Sequence, residues 1–205
     1  MSALSRFAGV AAAVGGAAWV VKGGLIIATG DQPPVAFELG PPLFLVGLIG
    51  LHARLEGRGG RVGRVGGLLA YAGAFLTVTT AVLFAVSAPE VSEESFGPVN
   101  ALILGTGLAI LASLLCLGLA TRRAETLGSG WSTLPLLIGV LAILSLFLGG
   151  ALEQISERLF EVPIVVIGLA WIVLGYALWS SAAGRPRVET TRSPGAPQRA
   201  KGEAE

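Results

Sequence analysis

Six long apolar runs decide most of what this chain can become. They extend from Phe7 to Thr29, Val35 to Leu55, Val65 to Ser87, Pro98 to Ala120, Trp131 to Leu152 and Phe160 to Ala182. A helix needs about 20 such residues to cross the roughly 30 Å hydrocarbon core of a bilayer, because it rises about 1.5 Å per residue. The second run is the weakest: it contains Glu38, Pro41 and Pro42, so its uninterrupted part begins at Leu43 and it reads as a short, thinned or partly re-entrant span. The chain is 53% hydrophobic and 13% charged, with a mean hydropathy of +0.77. Soluble domains carry about 25% charged residues. At half that fraction there is too little polar surface to cover a water-soluble globule. The expected fold is therefore all-α: an integral membrane bundle of about six transmembrane helices, spanning residues 1–184.

Gly and Pro cluster between the runs, at Gly30 to Pro34, Gly57 to Gly60, Ala88 to Pro98 and Leu127 to Gly130. Proline suits a helix start, where its missing N–H would be unpaired in any case. Pro41, Pro42, Pro98 and Pro163 all fall where even-numbered spans are expected to begin.

Charge orients the bundle. Arg and Lys gather on the cytoplasmic side of membrane proteins. Twelve of the fourteen basic residues fall in alternate segments: Arg6; Arg54, Arg58, Arg61 and Arg64; Arg122 and Arg123; and a tail with Arg185, Arg187, Arg192, Arg199 and Lys201. The intervening segments hold Asp31 and Glu38, then Glu90, Glu93 and Glu94, then Glu153, Glu157 and Glu161, with Arg158 the single exception. Six spans with both termini cytoplasmic satisfy every loop, and the expected location is the plasma membrane. A cleaved signal peptide is the competing reading of the first span, since Arg6 precedes an apolar stretch from Phe7 to Val21; Lys22 and the continuing run Leu25 to Ala28 argue for a retained helix. Residues 185–205 are rich in Pro, Gly, Arg and Glu, bury almost nothing, and are expected to form a disordered cytoplasmic tail.

The six runs also read as three copies of one hairpin. The junctions FELGPPLFLVGL at Phe37, FGPVNALILGTG at Phe96 and FEVPIVVIGLAW at Phe160 are 59 and 64 residues apart. A period near 60 fits a two-helix unit, although a Phe before a Pro-started helix also arises readily by chance.

Lipid provides no hydrophobic force between helices, so close backbone approach has to help hold them. Small residues recur every four positions: Gly9, Ala13 and Ala17, with Ala12, Gly16, Val20 and Gly24 beside them; Ala70 and Ala74; Gly105 and Ala109. These stripes suit packing within one bundle, or the seam of a homo-oligomer or a membrane-protein partner. Among the tryptophans, Trp131 and Trp179 lie near span ends, as interfacial anchors do, and Trp19 and Trp171 lie deeper, as packing residues.

Few residues are able to carry chemistry. Lys22 lies inside the first span, where a charge costs several kcal/mol unless it snorkels, pairs or faces water. Snorkelling outward, pairing with Glu38, Glu153 or Glu161, or a direct part in binding an anion or moving a proton are the alternatives. The candidate intramembrane polar site consists of Lys22, Glu38, Asn100 and Glu153. Glu38 precedes Pro41 at a helix start, where the helix dipole favours a carboxylate. Glu153, Glu157 and Glu161 are spaced by four and would share one solvated face of an extended fifth helix. Asn100, Thr77, Thr79 and Thr80 are expected to hydrogen-bond neighbouring helices. His52 and Cys116 are the only histidine and cysteine, so neither a His-rich nor a Cys-based metal site is available within one chain. The motifs GxSxG, HExxH, the P-loop and GxGxxG after a strand are missing. No cofactor and no catalytic group is expected, and a net charge of +1 gives no reason to expect nucleic acid as a partner. The lipid bilayer is the one partner that the sequence demands. The function expected is non-catalytic, through helix packing or partner binding in the membrane; the alternative is a small transporter or channel for an ion or polar solute.

Overall fold

A computed structural model describes residues 3–31, 34–55, 57–87, 97–128 and 130–183, with side chains throughout except at 34–38, 87 and 182–183. The tail, the acidic loop with Glu90, Glu93 and Glu94, Phe96, and the side chains of Phe37 and Glu38 lie outside the described residues. The described residues form six α-helices and one short 3-10 turn, with no strand among them. In order they are α1 (Ala3–Thr29), α2 (Pro34–Arg54), α3 (Gly60–Ser87), α4 (Pro98–Ala124), α5 (Leu134–Glu153), the 3-10 turn Glu157–Phe160, and α6 (Glu161–Ala183). Five of them, all but α2, are long and apolar enough to cross a membrane; the apolar part described for α2 is the shorter segment Leu39–Arg54.

The helices lie side by side in a closed arrangement. α1 packs along α6 and α2, α2 reaches α3 and α4, α3 lies on α4, and α5 joins α4 to α6. The core is built largely by α2: Phe44, Leu45, Leu48 and Leu51 meet Trp171, Leu174 and Leu178 of α6 and Leu114 and Leu117 of α4. This explains how the weakest of the six runs still forms a helix inside the bundle. From Gly40 to Leu55 not one α2 side chain is exposed. A helix sheathed in protein does not need to match lipid, and neighbouring helices let it tolerate proline. Pro41 and Pro42 lie inside α2, two turns beyond its first residue Pro34, and not at its start as the sequence suggests.

α3 is the opposite case. Leu68, Tyr71, Phe75, Val78 and Val82 all face outward. In water such a face would drive aggregation, whereas in a bilayer it is the ordinary lipid boundary. Its threonines are satisfied locally: Thr77, Thr79 and Thr80 each donate to the carbonyl four residues back (Gly73, Phe75 and Leu76), each at 2.9 Å. They do not bridge to a neighbouring helix. Back-bonding of this kind covers a hydroxyl where no water is available.

The three hairpins are packed unequally. α3 and α4 pair along their lengths, whereas α5 makes more of its contact with α4 than with α6. The proline positions differ as well: Pro98 is the first residue of α4, Pro163 the third of α6, and Pro41 and Pro42 are deep in α2. Trp171 is fully buried, stacked on Phe44 at 4.3 Å, while Trp131 and Trp179 are exposed.

One polar contact ties α3 to α4. Ser113, fully buried, donates from Oγ to the backbone carbonyl of Gly66 at 2.8 Å. Gly66 also lets α4 come close, since a Cβ there would lie 2.8 Å from Leu117 Cγ and 3.0 Å from Cys116 Cβ. Cross-helix hydrogen bonds in membrane proteins average about 0.6 kcal/mol. Ser113→Ala is therefore expected to lower stability by about that amount in a detergent unfolding titration, a small loss beside those described below.

Candidate functional site

Among the described residues the buried charged side chains, Lys22 and Glu161, lie along the contact of α1 with α6. The two helices run antiparallel and touch backbone to backbone at two successive levels. A Cβ on Gly175 would stand 2.5 Å from the Gly9 carbonyl oxygen and 2.6 Å from the Ala13 nitrogen. A Cβ on Gly168 would stand 2.7 Å from the Gly16 carbonyl oxygen and 3.1 Å from the Val20 nitrogen. The third level breaks the pattern. There Gly23 faces Val165 and Glu161, and its Cβ position lies 3.6 Å from Glu161 Oε2. Gly9, Gly16 and Gly23 thus oppose positions 175, 168 and 161, each ladder stepping by seven residues. Seven residues are close to two helical turns, so such a ladder stays on one face along the whole contact.

Lys22 is next to Gly23 and is 4% exposed; Glu161 is 8% exposed. The charge of Glu161 acts on Lys22, and its Oε2 is buried with no hydrogen-bond partner among the described residues. Glu161 opens α6, and its backbone N–H donates to the carbonyls of Arg158 and Leu159. The positive end of a helix dipole favours a carboxylate there. α1 continues for seven residues beyond Lys22 to Thr29, about 10 Å. The 3-10 turn lies mainly against α5 and also touches α6 and α1. Its Arg158 Nη2 lies 3.2 Å from the Cβ position of Gly30, whose φ of +85° ends α1. That guanidinium complements the negative end of the α1 dipole, which accounts for the one arginine on the acidic side. Phe160 closes the other flank over Gly149, at 3.1 Å from its Cβ position. Below, Trp19 meets Phe44 edge-on at 5.0 Å, and Phe44 stacks on Trp171.

Of the four residues assigned to a polar site from the sequence, the structure buries Lys22 at this contact. Glu153 is the last residue of α5 and is exposed. Asn100 is half-buried in the first turn of α4, and the Glu38 side chain is outside the described residues. Glu161, one of three carboxylates considered as partners of Lys22, is the one whose position beside it is described. The expected common face of Glu153, Glu157 and Glu161 does not form. α5 stops at Glu153, the 3-10 turn resets the helical phase, and Glu161 begins a new helix, so it turns inward while Glu153 and Glu157 remain exposed. The seven-residue spacing of Glu161, Gly168 and Gly175 was the signal that singles it out.

His52 accepts a structural explanation. Its Nδ1 lies 3.1 Å from the Gly63 carbonyl, which can only accept, so Nδ1 carries the proton. The ring sits against Gly67, edge-on to Tyr71 at 6.2 Å, and joins α2 to α3. Arg54 similarly joins α2 to α6, donating from Nη1 to the Leu178 carbonyl at 3.1 Å. Among the described residues no group of three or more His, Cys, Asp or Glu is placed to hold a metal ion.

Fold and site together define a helical bundle with five helices long and apolar enough to cross a membrane and with Lys22 and Glu161 buried where its first and last helices meet. Compared with protein-family models, with characterised proteins and with solved structures, the chain matches none.

Proposed function

We propose that this is a non-catalytic, multi-pass protein of the plasma membrane that acts through helix packing or by binding a partner within the bilayer. In this reading all six helices span, α2 included, and both termini lie on the arginine-rich cytoplasmic side. The observation that carries it is the enclosure of Lys22 and Glu161. A solute path needs polar groups that water can reach, and here both side chains are buried at the close α1–α6 contact, beside Gly23. Its role is then to lock α1 to α6. A second reading, a small transporter or channel for an ion or polar solute, is favoured by one feature, the Glu161 oxygen that lacks a hydrogen-bond partner among the described residues.

Reconstituted vesicles distinguish the two. The packing reading predicts that wild-type protein raises ion permeability no further than empty vesicles show, and that Lys22→Met weakens assembly. A cation or anion flux through the wild type that disappears in a Lys22→Met variant of unchanged melting temperature would establish transport instead.

A further inference from the structure

The outer side of the α1–α6 contact forms a groove of about 460 Å³. Gly9, Ala13, Ala17 and Gly175 make its floor, and Tyr176 and Trp179 stand along its α6 edge. The glycines that bring the two backbones together leave this gutter behind, because no side chain fills it. We propose that the groove holds one acyl chain of an anionic glycerophospholipid whose phosphate is bound by Arg6.

Three features select that occupant. The first is length. Gly9 to Ala17 spans eight residues, or about 12 Å, most of the roughly 15 Å that one leaflet contributes to the hydrocarbon core. The second is charge. Arg6 is exposed and lies one helical turn before Val10, a groove residue, so it stands at the open end on the same face of α1. A guanidinium there matches a phosphodiester with two parallel donors. The third is the aromatic row at the same end. Trp131 and Trp179 each have a ring centroid 6.4 Å from that of Tyr176, and all three residues are exposed. Tryptophan and tyrosine settle at headgroup depth, which puts Arg6 level with lipid phosphate. A lipid, rather than a free phosphate ion, is required because the bulk of the site is apolar.

The test is native mass spectrometry of the full chain in non-ionic detergent, with phosphatidylglycerol and phosphatidylcholine of equal chain length. Wild type is expected to retain phosphatidylglycerol about fivefold better, the worth of one interfacial arginine. Arg6→Gln should bring the two lipids to parity, and Ala17→Leu, which fills the exposed floor, should reduce retention of both. If Ala17→Leu alters the melting temperature, Val14→Trp fills the groove from an exposed position and takes its place. Equal retention of both lipids by the wild type, or undiminished phosphatidylglycerol binding in the groove-filled variants, would overturn the proposal. So would a dimer mass that the groove-filling substitution abolishes, since the occupant would then be a second copy.

Discussion

Gly16→Leu is expected to undo the bundle. A Cβ at this position runs into the Gly168 carbonyl oxygen and lies 2.9 Å from the Ile172 nitrogen. Both obstacles are backbone, so no rotamer change in a neighbour relieves them. Overpacking a core with side-chain freedom costs about 1–3 kcal/mol, and a backbone obstacle belongs at or above the top of that range. The loss expected is about 3 kcal/mol or more, seen as aggregation or a large fall in melting temperature on size-exclusion chromatography in detergent. Gly24→Leu is the matched control. Gly24 faces open space, with nothing within 4 Å of its Cβ position, so leucine there should be tolerated or slightly stabilising through its better helix propensity. Equal damage from both substitutions would mean that the α1–α6 ladder is not what holds these helices.

Lys22→Met is the second large effect, and it should be repairable. Removing one member of a buried ion pair strands the other charge and costs about 3–5 kcal/mol, whereas replacing both by apolar residues is often neutral or stabilising by about 1–4 kcal/mol. Lys22→Met and Glu161→Met are each expected to destabilise the protein, and the double variant to recover most of the loss. A double-mutant cycle in detergent measures this directly. Additive losses in the double variant would show that the two side chains do not act on each other, and Lys22 would then need another partner to account for its burial.

Much of this architecture is legible in the sequence, and the parts that are not share a cause. Long apolar runs specify helices because in lipid each backbone polar group must be satisfied within its own segment. That requirement does not depend on neighbours, so α1 and α3 to α6 could be recognised residue by residue. What helices do to one another depends on phase, and phase is fragile. Four-residue stripes placed Gly24 beside Gly16 on one face, whereas the contact follows the seven-residue ladder Gly9, Gly16 and Gly23, which leaves Gly24 in open space. The same weakness affected the acidic segment. An unbroken helix would align Glu153, Glu157 and Glu161, but a four-residue 3-10 turn rotates them apart, and nothing in the apolar pattern marks that turn. The Thr77, Thr79 and Thr80 hydroxyls chose the nearest carbonyls over distant ones, as polar groups in a dry environment do. α2 is the weakest span, as its prolines and moderate hydropathy suggest: its described apolar part is only Leu39–Arg54. What the apolar pattern does not reveal is that this helix builds the core, where packing among neighbours decides.

The candidate site was half visible. Lys22 stood out because a charge in an apolar run is costly, a conclusion that needs no partner. Its carboxylate could be narrowed to Glu38, Glu153 or Glu161, and choosing among them required the register of α6 against α1. Glu161 holds that register: it occupies the position seven residues before Gly168, where the ladder would otherwise call for a small residue.

The most direct measurement of the whole account is membrane-impermeant thiol labelling of single cysteines in intact cells, in a Cys116→Ala background. Six spans with the arginine-rich face inward predict that cysteines at Ser2, Arg58, Gly130 and Gly202 stay unlabelled until the membrane is opened, while those at Asp31, Gly97 and Ser156 label at once. Labelling of Ser2 and Gly202 from opposite sides, or of all seven positions from outside, would contradict it.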